Sequence, residues 1–418
     1  MGRFDPTFGR LGAEPGIRMI GHALVLLLVF SGFFVLVEPA PYELISLTAF
    51  AFFLLVGMPI RRELGPMIFL LIVFIAFGFP AATQARAQEE AFFYMTVSAF
   101  LVLTGIFFAA YVANNPVENT ARIRTAYIGA GLLAAATGIV GYLGLLPGTE
   151  IFTLFGRAKG TFQDPNVLGP FLILPALCLL LTVLTGRFTQ IVTRLPLLLF
   201  LLLAVFFSFS RGAWLHFILS AGIMVGLHFL LSSDPRLRFR ILVMTGVALG
   251  LGVAVVLAAL SIESVADLFR ERAVLLQTYD DGYGGRFSRQ VLGFQLMIEN
   301  PLGLGALEFA KIFPEDPHNV YLKAFSISGW AGGAAYLALI GLTLARGAVF
   351  VFTVPRMRTV FLPFYATFVG LAVLGLLIDT DRWRHFHLLL GVIWGLLAAE
   401  RASAPYPAAS RLPTHQRA

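Results

Sequence analysis

The sequence predicts an all-α, polytopic membrane protein of about twelve transmembrane helices, with one large loop containing short helices late in the chain. Three observations carry this. Hydrophobic residues make up 58% of the 418 positions and charged residues only 13%, about half the charge of a soluble domain. Mean hydropathy is +0.85. Apolar runs close to the ~20 residues a spanning helix needs recur along the chain, and only the stretch 263–323 interrupts them with a long polar segment.

The first run, 19–37, follows Arg3, Arg10 and Arg18. It is long for a signal-peptide core and no small-x-small cleavage site follows, so it reads as a retained first helix. The expected spans are 18–37, 43–60, 64–80, 91–113, 124–146, 166–186, 195–210, 212–231, 240–262, 324–346, 359–379 and 385–400. The seventh and eighth are divided at SFSRG, inside an apolar stretch too long for one span. Residues 347–354 are apolar and end at Pro355, as an extension of the tenth helix or an interfacial segment. The chain thus divides into spans one to nine over 1–262, a loop over 263–323, spans ten to twelve over 324–400, and a Pro/Ala/Ser-rich tail over 401–418 expected to be disordered.

Charge bias orients these spans. Of the 30 Lys and Arg, 18 fall in segments on the amino-terminal side and 12 opposite, six of those 12 in the long loop. Long loops count little in the positive-inside rule, so the short-loop comparison places both termini in the cytoplasm and the long loop outside. The net charge of +7 then records loop bias, not a nucleic-acid footprint. A single cysteine, Cys178, excludes an intrachain disulfide and argues against a cysteine metal site.

On the outer side the uncommon polar residues gather. The loop before the sixth span, FGRAKGTFQDPNVLGPF, supplies Arg157, Lys159 and Asn166. The SFSRGAW turn supplies Ser210 and Arg211. The long loop supplies Arg286, Arg289, His318 and Asn319, and the last turn, DTDRWRHFH, supplies Arg382 and Arg384 beside Asp379 and Asp381. Arginine's planar fork suits phosphate. Arg211 stands between apolar spans, where a cation near bilayer depth costs about 2.5–3.5 kcal/mol on insertion scales, so it has either a task or the plain role of a snorkelling interface arginine. For Arg382 and Arg384 the plain reading, pairing with Asp379 and Asp381, leads over binding substrate.

Gly284-Gly285-Arg286 offers a flexible backbone beside a cation, as an anion nest or a plain turn. From Phe287 to Glu299 the apolar spacing suits a helix lying on the membrane surface. His318 sits just before the tenth span, able to act as a base near neutral pH, and Asn319 is placed to cap the helix. His22, His216 and His228 lie within spans as core or interface residues. No metal-ligand spacing is present.

These motifs resemble the O-antigen ligase and polymerase family of bacterial envelope proteins. His318-Asn319, nine residues, Gly329, two residues, Gly332 is similar to the ligase-type signature of that family. GTFQDPNVLGPFL resembles its Gly-Thr-Phe…Pro-Asn block, SFSRGAW its Ser-Arg-Gly turn, and GGRFSRQVLGFQLMIENPLGLG its arginine-containing loop ending in Asn-Pro-x-Gly-x-Gly. The likeness runs from about Gly156 to Gly395, while the first five spans match in hydropathy alone. The resemblance implies a GT-C-like fold in the bacterial inner membrane and a metal-independent, inverting glycosyltransferase without cofactor. It implies an undecaprenyl-pyrophosphate-linked glycan donor and a lipid A-core or growing-glycan acceptor, with transfer on the periplasmic face. The family's essential arginines fall on Arg211 and Arg286 and its essential histidine on His318. A ligase and a polymerase both fit the pattern. A flippase or transporter is the rival of another class, but it would place ionisable residues at mid-membrane and often show repeats, neither of which the sequence displays.

Overall fold

The computed structural model describes residues 6–8, 14–273, 285–313 and 316–403. Helices dominate them: α1 (Pro15–Ser31), α2 (Pro41–Val56), α3 (Gly65–Ala82), α4 (Gln88–Asn114), α5 (Pro116–Tyr142), α6 (Pro165–Phe171), α7 (Ile173–Thr185), α8 (Phe188–Phe207), α9 (Arg211–Leu230), α10 (Pro235–Leu260), α11 (Glu263–Arg272), α12 (Arg286–Glu299), α13 (Phe309–Ile312), α14 (Val320–Thr353), α15 (Pro355–Leu374) and α16 (Arg384–Ser403). Among the described residues nine stretches are long and apolar enough to cross a membrane, and α1 and α2 are shorter apolar helices. Each of the twelve expected apolar segments overlaps a helix. Within a bilayer only a structure that satisfies its backbone internally can span, which is why hydropathy translates so directly into helices. The tail beyond 403, and Gly284 with the acidic residues Asp280 and Asp281, lie outside the described residues.

Several boundaries differ from expectation for local reasons. The seventh helix begins at Phe188 and not at 195, because Gln190 Oε1 accepts the free Arg187 N–H at 2.8 Å and starts the helix early. The sixth is two pieces, α6 and α7, meeting at Leu172. The tenth starts at Val320 and runs to Thr353, absorbing the apolar 347–353 segment and shortening the loop at its carboxy-terminal end. A two-stranded antiparallel hairpin, β1 (Thr153–Leu154) and β2 (Arg157–Ala158), precedes α6.

Helix packing uses close backbone approach. A Cβ on Gly391 of α16 would lie 2.5 Å from the Gly105 carbonyl oxygen of α4, and one on Gly395 2.8 Å from that of Ala109. Small residues at such crossings are the usual means of association in lipid.

The signature glycines Gly329 and Gly332 have a structural cause. At Gly329 α14 leaves the helical region, with φ 64° and ψ −169°. The segment Asn300–Gly305 enters the gap: Trp330 N donates to Pro301 O at 2.9 Å, and Ser326 O accepts from Leu304 N at 2.8 Å and Gly305 N at 3.2 Å. Hydrogen bonds lost from the helix are remade with the loop, the condition under which irregular backbone is tolerated inside a bundle. A Cβ on Gly332 would lie 2.3 Å from Ser328 Cβ and 3.4 Å from the Phe74 carbonyl oxygen of α3. The Asn-Pro-x-Gly-x-Gly loop and the α14 signature therefore form one joint.

Candidate functional site

The SFSRGAW turn is built from both sides. α8 ends where Ser208 Oγ donates to Val205 O at 2.7 Å. Phe209 then takes φ 44°, uncommon for a residue with a Cβ, while its ring packs on Phe206 and Tyr142. Ser210 caps α9, its Oγ accepting from Ala213 N at 3.3 Å. Arg211 is thereby the first residue of α9. The positive end of a helix and a guanidinium reinforce each other, and together they favour an anion.

Arg157 locks this turn to the preceding loop. It is buried, and it donates from Nε to Ser208 O at 2.8 Å and from Nη2 to Asn166 Oδ1 at 2.8 Å. Asn166 is itself fixed at the start of α6, its N–H donating to Asp164 Oδ1 at 2.6 Å. Lys159 lies two residues beyond Arg157, half-buried, and its ammonium has no acceptor among the described residues.

The His318 end of the site meets the Arg211 end through the carboxy-terminal end of α15. His318 has φ 48°. Asn319 caps α14, its Oδ1 accepting from Tyr321 N at 3.1 Å and Leu322 N at 3.2 Å. Val320 N donates to Gly375 O at 2.8 Å, and Leu376 O accepts from Asn319 Nδ2 at 3.4 Å and Gln290 Nε2 at 3.2 Å. One residue earlier, Leu374 lies where a Cβ on Gly212 would touch it at 2.8 Å. Residues 374–376 therefore join the start of α9, the start of α14 and the first turns of α12. Arg286 opens α12, though its side chain lies outside the described residues. Arg289 is buried, whereas Val291, Phe294 and Ile298 of the same helix are more than half exposed. The amphipathic helix expected at 287–299 is present, with its apolar face outward.

A charged network lies beside His318. Lys323 Nζ is 3.1 Å from Asp316 Oδ2 and 3.3 Å from Asp379 Oδ2. Tyr94 OH donates to Asp381 Oδ2 at 2.8 Å. Burial pushes the Asp379 carboxyl above its ordinary pKa, with the charges of Lys323 and, less strongly, His318 pulling it down. Its Oδ1 has no hydrogen-bond partner among the described residues. The acids of the last turn thus pair with Lys323 and Tyr94, correcting the expectation that they pair with Arg382 and Arg384. Arg382 instead stacks on the Tyr94 ring at 4.5 Å. Arg384 reaches Glu43 Oε1 at 2.6 Å and Phe34 O at 3.3 Å, so its guanidinium is engaged within the protein.

From that junction an apolar groove of about 950 Å³ descends between α12, α14 and α15. Gln290, Asn319 and Leu376 stand at its polar end, and Leu337, Gly341 and Leu344 lie further along α14. At 1.5 Å per residue, the lining from Tyr321 to Leu344 spans on the order of 30 Å.

Residues 196–337 match the family model described as O-antigen ligase. The matched region holds Ser210, Arg211, Arg286, Arg289, His318 and Asn319, and leaves out Arg157, Lys159, Asn166, Arg382 and Arg384. No curated protein matches the chain. Within a multi-pass helical architecture, residues 196–337 thus form a region similar to the O-antigen ligase family.

Proposed function

We propose that the protein is a ligase-type glycosyltransferase. It would move a glycan from undecaprenyl pyrophosphate to an acceptor hydroxyl, that of lipid A-core, on the periplasmic side of the inner membrane. The observation that carries this reading is the junction at residues 374–376, where the starts of α9 and α14 share one support. A cation at a helix start is thereby brought to the same end of the bundle as a histidine in a strained backbone.

In this reading Arg211 and Arg286 bind the donor's pyrophosphate, and Lys159 and Arg289 add positive charge nearby. The acceptor oxygen attacks the anomeric carbon, the bond from that carbon to the phosphate oxygen breaks, and the electron pair leaves with the pyrophosphate. His318 takes the proton of the acceptor hydroxyl. Attack opposite the leaving group inverts the configuration. The fixed cations stabilise charge that grows in the transition state, commonly the largest catalytic term, and a cationic pocket of this kind can hold pyrophosphate without a divalent ion. The apolar groove suits the polyprenyl tail, since its polar end lies where the pyrophosphate would sit. Asn319 and Ser210 serve as the helix caps that position His318 and Arg211, and Arg157 with Asn166 supports the second of these.

Purified protein in detergent, given lipid-linked glycan and lipid A-core, should form the joined product. Product formed without a second compartment excludes pure transport, and absence of product from folded, full-length protein given both substrates sinks the proposal. In a deletion strain, lipid A-core without polymer and long chains on carrier lipid would mark a ligase. A single repeat unit on lipid A-core would mark a polymerase instead.

A further inference from the structure

A second polar pocket lies at the other end of the bundle. The helices define which end this is. α7 follows α6 away from the Arg157–Asn166 contact and finishes at Gly186, and α15 runs from Pro355 towards Leu374 at the junction. Between those far ends is a cavity of about 310 Å³, walled by Arg124 of α5, Cys178, Thr182 and Thr185 of α7, Gln190 of α8 and Thr359 of α15.

Three features point to what it holds. First, Arg124 stands more than two turns inside α5, a helix apolar enough to span, and its guanidinium has no ion pair or hydrogen bond among the described residues. Among those residues no carboxylate lines the cavity. Arg124 is exposed at this far end of its span, and the cavity wall supplies it no anion. Second, Thr182 Oγ donates to Cys178 O at 3.0 Å and Thr185 Oγ to Leu181 O at 2.8 Å. Each hydroxyl has spent its proton and can only accept from a ligand. Third, Gln190 Oε1 is occupied by Arg187 N at 2.8 Å, which leaves the amide nitrogen as a donor. Arg240 donates to Gly186 O at the same rim, adding positive charge there.

We propose that this pocket binds the phosphate of a membrane glycerophospholipid headgroup. Arg124 pairs with the phosphate oxygens, and the threonine oxygens accept from the headgroup's alcohol or ammonium. The same oxyanion chemistry would take free inorganic phosphate, and the test separates the two. The proposal needs nothing from the glycosyl-transfer reading, because it rests on residues at the opposite end of the molecule.

The test uses the full chain, delipidated in an uncharged detergent. Native mass spectrometry counts bound phosphatidylglycerol in the wild type, Arg124→Gln, Arg124→Lys and Thr182→Phe, the last filling the cavity while keeping the cation. Thermal unfolding without lipid reports the fold of each variant. The wild type should bind one phosphatidylglycerol about tenfold more tightly than Arg124→Gln, the ratio expected for one charge-assisted contact. Arg124→Lys should keep most of the affinity and Thr182→Phe should lose it. Without any variant, diacylglycerol of the same chain length, which lacks phosphate, should bind the wild type about tenfold less tightly. Equal binding of the two lipids, or equal phosphatidylglycerol binding by wild type and Arg124→Gln, overturns the proposal. Stabilisation by inorganic phosphate that depends on Arg124, with none from phosphatidylglycerol, overturns the lipid assignment and leaves a free-phosphate site.

Discussion

Arg157 donates from Nε to the backbone carbonyl of Ser208 at 2.8 Å, joining the loop before α6 to the turn that carries Arg211. With Nη2 on Asn166 Oδ1, its guanidinium is engaged inside the protein, which gives it a positioning role. Arg157→Ala leaves a buried carbonyl and a side-chain amide oxygen short of a donor, at a cost of about 1–3 kcal/mol. The expected outcome is a lower thermal unfolding midpoint in detergent together with reduced transfer. Arg157→Lys, which supplies one donor direction in place of a fork, should recover only part of the stability. An Arg157→Ala protein as stable as wild type would remove the positioning role.

Arg211 and His318 carry the chemical half of the proposal. Arg211→Ala should lower transfer at least ~100-fold, the scale of losing one preorganised charge, and His318→Ala should lower it by about 100-fold or more. Both proteins should still insert and purify as wild type does, because neither side chain is part of the buried core. Arg211→Lys should also fail if the phosphate is gripped by two parallel hydrogen bonds. The measurement is transfer by purified protein. Wild-type rates for the alanine variants would reject these roles, and full activity of Arg211→Lys would show that a point charge is enough.

The parts of the molecule visible in its sequence are those encoded locally. Apolar runs became helices, the SFSRG break became a cap and a turn, and Asn319 became an N-cap, because each depends on residues within a few positions. Long-range pairing was not visible. Arg384 meets Glu43 across 341 positions and Tyr94 meets Asp381 across 287, so which acid meets which base is decided by how helices pack, about which hydropathy says nothing. Gly329 likewise looks like any glycine in an apolar run. Only the loop that enters beside it explains the break in α14, although the Asn-Pro-x-Gly-x-Gly motif was the available hint that a chain passes close by.

Gly329 offers a direct test of that joint. Its φ of 64° with ψ −169° belongs to a region that is almost exclusively glycine's, where another residue costs on the order of 1–3 kcal/mol. A Cβ would also sit 2.6 Å from Pro301 O. Gly329→Ala should therefore destabilise the protein well beyond Gly246→Ala, whose added methyl meets nothing within 4 Å in α10. Thermal unfolding of the two variants side by side makes the comparison. Equal midpoints would mean that the joint relaxes without strain.

The Arg384–Glu43 pair should matter for stability and not for chemistry. Arg384 is 11% exposed at its side chain and also covers the Tyr42 ring at 5.0 Å. Removing one member of this partly buried pair leaves the other without its charge-assisted hydrogen bond, at a cost of about 1–3 kcal/mol, so Arg384→Ala and Glu43→Ala should each lower the unfolding midpoint. Transfer per folded molecule should remain near wild type. A double-mutant cycle reads the coupling: the double variant should be less destabilised than the sum of the singles. Loss of transfer in fully folded Arg384→Ala would return Arg384 to the substrate site.

The groove tests the link between the junction and the lipid tail of the donor. Gly341 lies on its wall with open space around it, and a methyl group added there would meet nothing within 4 Å. Gly341→Trp should fill part of the channel without touching Arg211, His318 or the Asn319 cap. If the polyprenyl chain lies along α14, this variant should raise KM for a long-chain donor while leaving kcat largely intact. A donor analogue with a tail too short to reach Gly341 should be used equally well by both proteins. The contrast between long and short donors separates blockage from general damage, since a misfolded protein would lose both. Unchanged KM for the long-chain donor in a folded Gly341→Trp protein would place the tail elsewhere, because an indole ring on the groove wall occupies the apolar surface on which the chain would lie.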